Sequence, residues 1–532
     1  MDKTKFIKAV IALLAAGAVF FIPFESLGVA LNPIEIRVIA IFVMAAFFWI
    51  LEPVPIWTTS MLVIVVSLLT ISNLGLQFAW GDTTLFSFTI DPATGSKFAN
   101  LVNSKAIMAT FADPIIMLFL GGFFLAAAAT KYQLDMNLTK ILLKPFGKNP
   151  KFVLLGLMMI TALFSMFMSN TATAAMMLAI LAPVLSLFDA DDKGRAAFAL
   201  AIPIAANVGG MGTPIGTPPN AIALKALNDM NANVTFGTWM AFGVPYVIAL
   251  LLIAWALLLF LFPIKKKSME LKVGGKFLKT PKAIVVYVTF ATTVLLWILG
   301  KSVVGIDSNI VAMIPMAVFA LTQVITKEDL KKMSWDVLWL VAGGFALGLA
   351  LQQTGLAKDL IGAIPFAEWS PFGLMVGAGV ICLFMANFMS HTATASLLVP
   401  IIAVVGVNVG GNLDSLGGVV ALLVSVAFAS SLGMALPIST PPNALANATG
   451  FVDTKGMAKT GVVIGFVGMV LTYLMMMLLA QLNVFTPVKT QGKVREVGSP
   501  PVKLFSPGTV ESDPASSAKP VAPQENPQPA RP

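Results

Sequence analysis

From residue 1 to about 485 the chain alternates apolar runs of helical length with short polar breaks. Runs near 7–24, 35–51, 56–72, 112–130, 238–263, 283–301, 307–325, 336–352 and 459–484 predict full crossings, since a bilayer takes roughly 20 apolar residues. Four other apolar segments are shorter: 152–168 and 174–188, then 372–389 and 395–409. Each pair meets at a polar tip, Ser169-Asn170-Thr171 in the first and Ser390-His391-Thr392 in the second. Two short arms about a polar tip predict a re-entrant hairpin that stops at mid-membrane. Non-helical backbone at that depth must be buried in protein or line a wet cavity, because lipid offers it no hydrogen bonds.

The polar breaks occur twice, in register. SNTATAAMM at 169–177 is matched by SHTATASLL at 390–398, an offset of 221 from 169 to 390. GTPIGTPPNAIA from Gly212 is matched by GMALPISTPPNALA from Gly433, and Thr217 to Thr440 is 223. LGGFF at 120–124 is matched by AGGFA at 342–346, and Gly121 to Gly343 is 222. Any one stretch of small residues reads equally well as helix packing. Three pairs in register instead argue an internal duplication, and duplicated interrupted segments point to a transporter's binding site. Successive prolines after 195–211 and after Gly433 break a helix. The break frees carbonyls at one half-helix end, which suit a small cation, and N–H groups at the other, which suit an anion.

Composition agrees with this class: 58% hydrophobic residues, 11% charged and a mean hydropathy of +0.89. The net charge of +9 sits in loops, in the lysines of 131–151, 265–282 and 327–332. It therefore marks cytoplasmic loops rather than a nucleic-acid partner, and Lys3, Lys5 and Lys8 place the N-terminus inside. The loop 73–112 then faces outward. The start could also pass for a signal peptide, but an apolar run continuing to Phe21 favours a first membrane helix. One cysteine, Cys382, excludes an intrachain disulfide or a cysteine metal cluster. The segment 486–532, rich in Pro, Ser, Lys and Glu, is expected to be a disordered tail. The chain divides into N-terminal scaffold helices 1–130, a first repeat core 131–263, a basic linker with a second scaffold part 264–352, and a second repeat core 353–485.

At the two hydroxyl–amide tips and the two Thr-Pro-Pro-Asn elements, the chain resembles the divalent anion/sodium symporter family of dicarboxylate, citrate and sulfate transporters. The likeness covers nearly all of 1–485. It implies an all-α polytopic membrane protein of about eleven crossing helices plus two re-entrant hairpins, built as an inverted repeat. It further implies a homodimer held by scaffold domains, with transport domains that move as elevators. By the same likeness a small dianion meets Ser169, Asn170, Thr171, Ser390, His391 and Thr392. Thr217-Pro218 and Thr440-Pro441 close that site. A first Na+ would sit among Ser165, Ser169, Asn170 and the carbonyl of Gly216, and a second near Ala386, Met389, His391 and Ser439.

The second copy departs from the family pattern. His391, the single histidine, stands where the family usually has Asn, and Ala386 where a Thr is common. Met434 stands where Phe is usual. Imidazole is a poorer ligand for a hard cation than an amide oxygen. Three roles are open to His391: altered coupling with the ring replacing one cation, a structural substitution with sodium retained, or a pH switch. No Asp or Glu lies in the middle of the motif-bearing segments, against a carboxylate proton relay. The expected function is sodium-coupled uptake of C4-dicarboxylates such as succinate, malate or fumarate, across a cell membrane that short loops suggest is a bacterial inner membrane. Sodium-independent dicarboxylate exchange, or sulfate or citrate transport, is the alternative. An enzyme would need a base beside its nucleophile, and Ser390 next to His391 offers poor geometry. A channel fits paired tips less well than alternating access.

Overall fold

Polar caps followed by proline set where many helices begin. Asn32, Asp113, Asn149, Thr280 and Ser370 each accept a backbone N–H of the first turn, and each precedes a proline at the first helical position. That proline fixes φ where its missing N–H costs nothing. In the computed structural model the described residues are 2–27, 29, 31–76, 101–185, 188–189, 192–232, 234–269, 277–356, 359, 369–482 and 484. They belong to one compact unit, Met1–Lys489. Residues 77–100 of the expected outward loop and the expected tail 486–532 lie outside the described residues.

In chain order the helices are α1 (Lys3–Ala18), α2 (Pro33–Leu51), α3 (Ile56–Thr70), α4 (Ser104–Ala109), α5 (Pro114–Lys131) and α6 (Leu134–Leu143). Then follow α7 (Pro150–Ser165), α8 (Asn170–Leu185), α9 (Gly194–Gly210), α10 (Pro218–Asp229) and α11 (Phe236–Leu261). The second half holds α12 (Pro281–Val303), α13 (Ser308–Leu321), α14 (Lys327–Lys331) and α15 (Trp335–Gln353). It closes with α16 (Pro371–Phe388), α17 (His391–Val409), α18 (Gly418–Ser431), α19 (Pro441–Ala448) and α20 (Thr454–Gln481). Among the described residues the only extended pairing is an isolated bridge between Ser72 and Val102. Nine helical stretches there are long and apolar enough to cross a membrane.

The hairpins differ in one respect from the sequence reading. The return arm of the second, α17, is 19 residues long against the expected 395–409, while α16, at 18 residues, has the length expected of 372–389. The reason is that His391 and Thr392 are already helical, so the return arm starts at the tip itself. The same happens at Asn170 in the first. Arm still packs on arm, and both lie against the next helix, α7 and α8 on α9 and α16 and α17 on α18.

Each half supplies a partner for the other. The double-glycine helix α5 packs on α13 of the second half, and its counterpart α15 packs on α3 of the first. The glycines make both contacts close: a Cβ on Gly121 would lie 2.4 Å from Ala312 O, and one on Gly343 2.3 Å from Ser60 Cβ. Likewise α10 packs on α17, and α19 on α8. Tyr246 Oη donates to Gly468 O at 2.9 Å, and these two residues are 222 positions apart. Equivalent positions touch only where a pseudo-two-fold axis passes, here between α11 and α20. The lysine-rich ends share one face. Lys131 pairs with Asp329 at 2.5 Å, and Met269 N donates to Lys148 O. Slight burial pushes the Asp329 carboxyl up, but the Lys131 ammonium and the Thr326 N–H and O–H outweigh it, holding it at about 2.

Candidate functional site

In the first half α7 ends at Ser165 and α8 begins at Asn170, so the tip is a four-residue turn. The Ser165 hydroxyl, fully buried, lies 2.7 Å from Ala206 O. The amide atom of Asn170 that points inward lies 2.6 Å from Ser165 Oγ, 3.1 Å from Ala206 O and 3.2 Å from Gly216 O. With nitrogen inward, that amide donates to all three. With oxygen inward, four oxygens converge around one hydroxyl proton, a donor set suited to a hard cation. Two glycines keep the space open. A Cβ on Gly210 would meet Asn170 Oδ1 at 2.6 Å, and one on Gly216 would meet Gly210 O at 2.4 Å. Ser165, Asn170 and Gly216 are thus brought together as expected, with Ala206 O in addition. Ser169 is not part of this cluster by its hydroxyl, which accepts Ala172 N–H at 3.2 Å and caps α8. Thr171 is exposed beside it.

The second half keeps the backbone and fills the space differently. Ser390 Oγ accepts Ala393 N–H at 3.1 Å, the counterpart of the Ser169 cap. His391, buried, sets Nε2 2.7 Å from the carbonyl of Gly433, which corresponds to Gly210. A carbonyl only accepts, so Nε2 carries the proton in this bond. Ser439 donates to Asn387 O at 2.8 Å and accepts Leu436 N–H, while Asn387 Oδ1 accepts Ala435 N–H. Ala386 contributes no hydroxyl, and Gly433 packs so close that its Cβ would lie 2.5 Å from the Ala386 backbone. Met389 is buried at the end of α16. In the first half one turn of the Asn170 amide changes three donated bonds into four converging oxygens, whereas in the second the His391 ring is bound to Gly433 O and has no such oxygen to turn inward.

The Asn of each Thr-Pro-Pro-Asn element closes the break that its prolines follow. Asn220 Nδ2 donates to the carbonyls of Gly210, Met211 and Thr213 at 3.2, 3.2 and 2.8 Å. Asn443 Nδ2 donates to Met434 O and Leu436 O at 2.7 and 3.0 Å. These are equivalent bonds in the two halves. The prolines themselves open new helices, α10 and α19, with Thr217 and Thr440 at the caps. Thr440 Oγ1 accepts Asn443 N–H, whereas Thr217 makes no such capping bond. Thr213, unnoticed in the sequence, adds a hydrogen bond to Met166 O that ties the break to the hairpin turn. Asn207 and Asn387 were also missed; their signal was a single amide inside an apolar run.

Accessibility separates the halves as well. On α8 the exposed positions Thr171, Ala172, Ala175, Ala179 and Ala182 form a stripe, and on α19 Pro441, Ala444 and Ala448 are exposed. On α17 His391 through Leu397 are all buried, Thr392 among them, and Pro218 of α10 is half-buried. Away from the lysine-rich face, a cavity of about 230 Å³ between α10, α15 and α17 holds Lys225, which pairs with Asp113 at 3.6 Å and with Asp229. Among the described residues no group of three His, Cys, Asp or Glu side chains gathers as a metal site.

Comparison with known proteins places this arrangement. The citrate transporter family model (CitMHS) matches residues 46–417. An uncharacterized transporter of Haemophilus influenzae is 34% identical over 391 residues, covering 69% of this chain and 81% of that protein. The sodium-dependent dicarboxylate transporter SdcS of Staphylococcus saprophyticus is 31% identical over 466 residues, covering 80% and 82%. The crystal structure of the YdaH transporter of Alcanivorax borkumensis, at 13% identity, shares the fold with a TM-score of 0.52 over 81% of this chain and 99% of that one. With a duplicated pair of hairpins and broken helices in a membrane-spanning helical body, the chain belongs to the citrate transporter family and is a transporter, not an enzyme.

Proposed function

We propose that the protein is a secondary transporter that couples sodium to the uptake of C4-dicarboxylates such as succinate, malate or fumarate. The observation that carries this reading is the cluster of Ser165, Asn170, Ala206 O and Gly216 O beside the polar tip. Neutral oxygens hold a cation weakly on their own. A dianion close by supplies the missing charge, and linkage makes the help reciprocal, so cation and dianion bind cooperatively. The dianion sits between the tips, against Ser169, Asn170, Thr171, Ser390, His391 and Thr392, with Thr217-Pro218 and Thr440-Pro441 closing over it. Transport is by elevator: the hairpins and broken helices move as one body against α1–α5 and α12–α15 in a homodimer. The lysine-rich face is cytoplasmic by the positive-inside rule, with the N-terminus on that side of a bacterial inner membrane. The exposed stripe on α8 then makes this the inward-facing arrangement.

The imidazole N–H on Gly433 O supports a second reading, in which one cation is dispensed with and the protein exchanges dicarboxylates without sodium. Labelled succinate uptake into proteoliposomes separates the two, with sodium outside, inside or absent and with or without internal succinate. Symport predicts uptake driven by an inward sodium gradient into empty vesicles. Uptake that ignores sodium and requires internal dicarboxylate sinks it in favour of exchange. Competition by citrate and sulfate sets the substrate class.

A further inference from the structure

Asn207 is a lone amide in the apolar run of α9, next to Ala206, whose carbonyl faces the oxygen cluster of the first half. It is 1% exposed, and its Nδ2 reaches across to the second half, 3.2 Å from Thr440 Oγ1 and 3.3 Å from Asn443 Oδ1. The orientation of this contact is fixed in steps. Asn443 gives its nitrogen to Met434 O and Leu436 O, so its oxygen faces Asn207. Asn207 must therefore present nitrogen to it, and the same nitrogen reaches Thr440 Oγ1. That hydroxyl also accepts Asn443 N–H at 3.2 Å. A hydroxyl has two lone pairs and one proton. Both lone pairs of Thr440 are taken, and only the proton remains to be offered.

We propose that Asn207 is a positioning residue that commits Thr440 to donate its hydroxyl proton to a carboxylate oxygen of the substrate. The proposal rests on the dianion reading above. A donor aimed in advance loses no orientational freedom when the anion arrives, whereas a hydroxyl left to rotate must give that freedom up on binding. The first half lacks this device. Thr217 makes no capping bond, and Asn220 Oδ1, the counterpart of Asn443 Oδ1, is buried without a partner. The residue 223 positions beyond Asn207 is Ser430, whose hydroxyl donates within its own helix to Val426 O. Thr440 is thus a committed donor, and Thr217 is not.

The test is a double-mutant cycle on succinate binding by the purified full-length protein, read by calorimetry in saturating sodium. Asn207→Ala is expected to weaken succinate binding about tenfold, the effect of one hydrogen bond to a charged group. In a Thr440→Val background the same change is expected to cost nothing further. The thermal stabilisation given by sodium alone is expected to be unchanged, since the cluster uses the Ala206 carbonyl and not the Asn207 side chain. An equal loss in both backgrounds, or no loss in the parent, overturns the proposal. Should Asn207→Ala fail to fold, Asn207→Ser gives the same reading, its hydroxyl being too short to span both partners. A parent that binds succinate equally with and without sodium sinks the symport reading but leaves the cycle decisive. A parent that binds none of succinate, citrate and sulfate overturns both.

Discussion

The two hairpin tips share a backbone and differ in what their side chains can turn toward the space beside them. At the first, Ser165 and Asn170 stand with two carbonyls in a space that only Gly210 and Gly216 keep clear. At the second, the Ala386 side chain supplies no oxygen and His391 gives its Nε2 proton to Gly433 O. The caps made by Ser169 and Ser390 are the same, and the bonds of Asn220 to Met211 O and Thr213 O recur as those of Asn443 to Met434 O and Leu436 O. A duplicated fold therefore conserves the bonds that hold its broken helices together while its pocket chemistry diverges. Backbone satisfaction at mid-membrane is not negotiable; the identity of a ligand is.

The comparison breaks most sharply by exchanging the tips. Asn170→His should fill the first cluster as the second is filled, raising the sodium concentration for half-maximal uptake on the order of 100-fold. His391→Asn should keep uptake and steepen its sodium dependence. Sodium curves that coincide for the parent and both variants would remove the distinction between the halves.

A smaller effect concerns the shared part. Asn220→Ala and Asn443→Ala each strand buried carbonyls, at about 1–3 kcal/mol of stability. Asn220 serves three and Asn443 two, so the first change should lower the thermal midpoint more. Equal or negligible shifts in detergent melts would show that the breaks are satisfied by other means.

The smallest expected effect lies at the Lys225–Asp113 pair, which joins α10 to the start of α5. Asp113→Asn should cost this arrangement about 1 kcal/mol and slow maleimide labelling of Thr171→Cys a few-fold. The background is low because Cys382 is the single cysteine and is buried. Labelling at the parent rate would mean the pair does not hold this state.

Much of this was legible in the chain. The hairpin tips, the two breaks and the register of the duplication follow from residue type and spacing, because proline and polar residues in apolar runs have few physical uses. Ser169 is expected beside a cation, and in the structure its hydroxyl accepts Ala172 N–H and caps α8. Sequence cannot decide between a cap and a ligand when one hydroxyl fits both. The reach of Asn207 to Thr440, over 233 positions, and of Lys225 to Asp113 depends on how helices distant in the chain come to lie together, and no local pattern records it.

The crossed packing has a consequence for how the molecule is made. Ser60 on α3 finds its buried partner, the carbonyl of Leu340 on α15, 280 residues later in the chain. Until the ribosome has delivered α15, the surface of α3 that will receive Gly343 stays uncovered, and neither half can finish on its own. Genes cut between α11 and α12 would therefore encode two fragments that complete each other only when produced in the same cell.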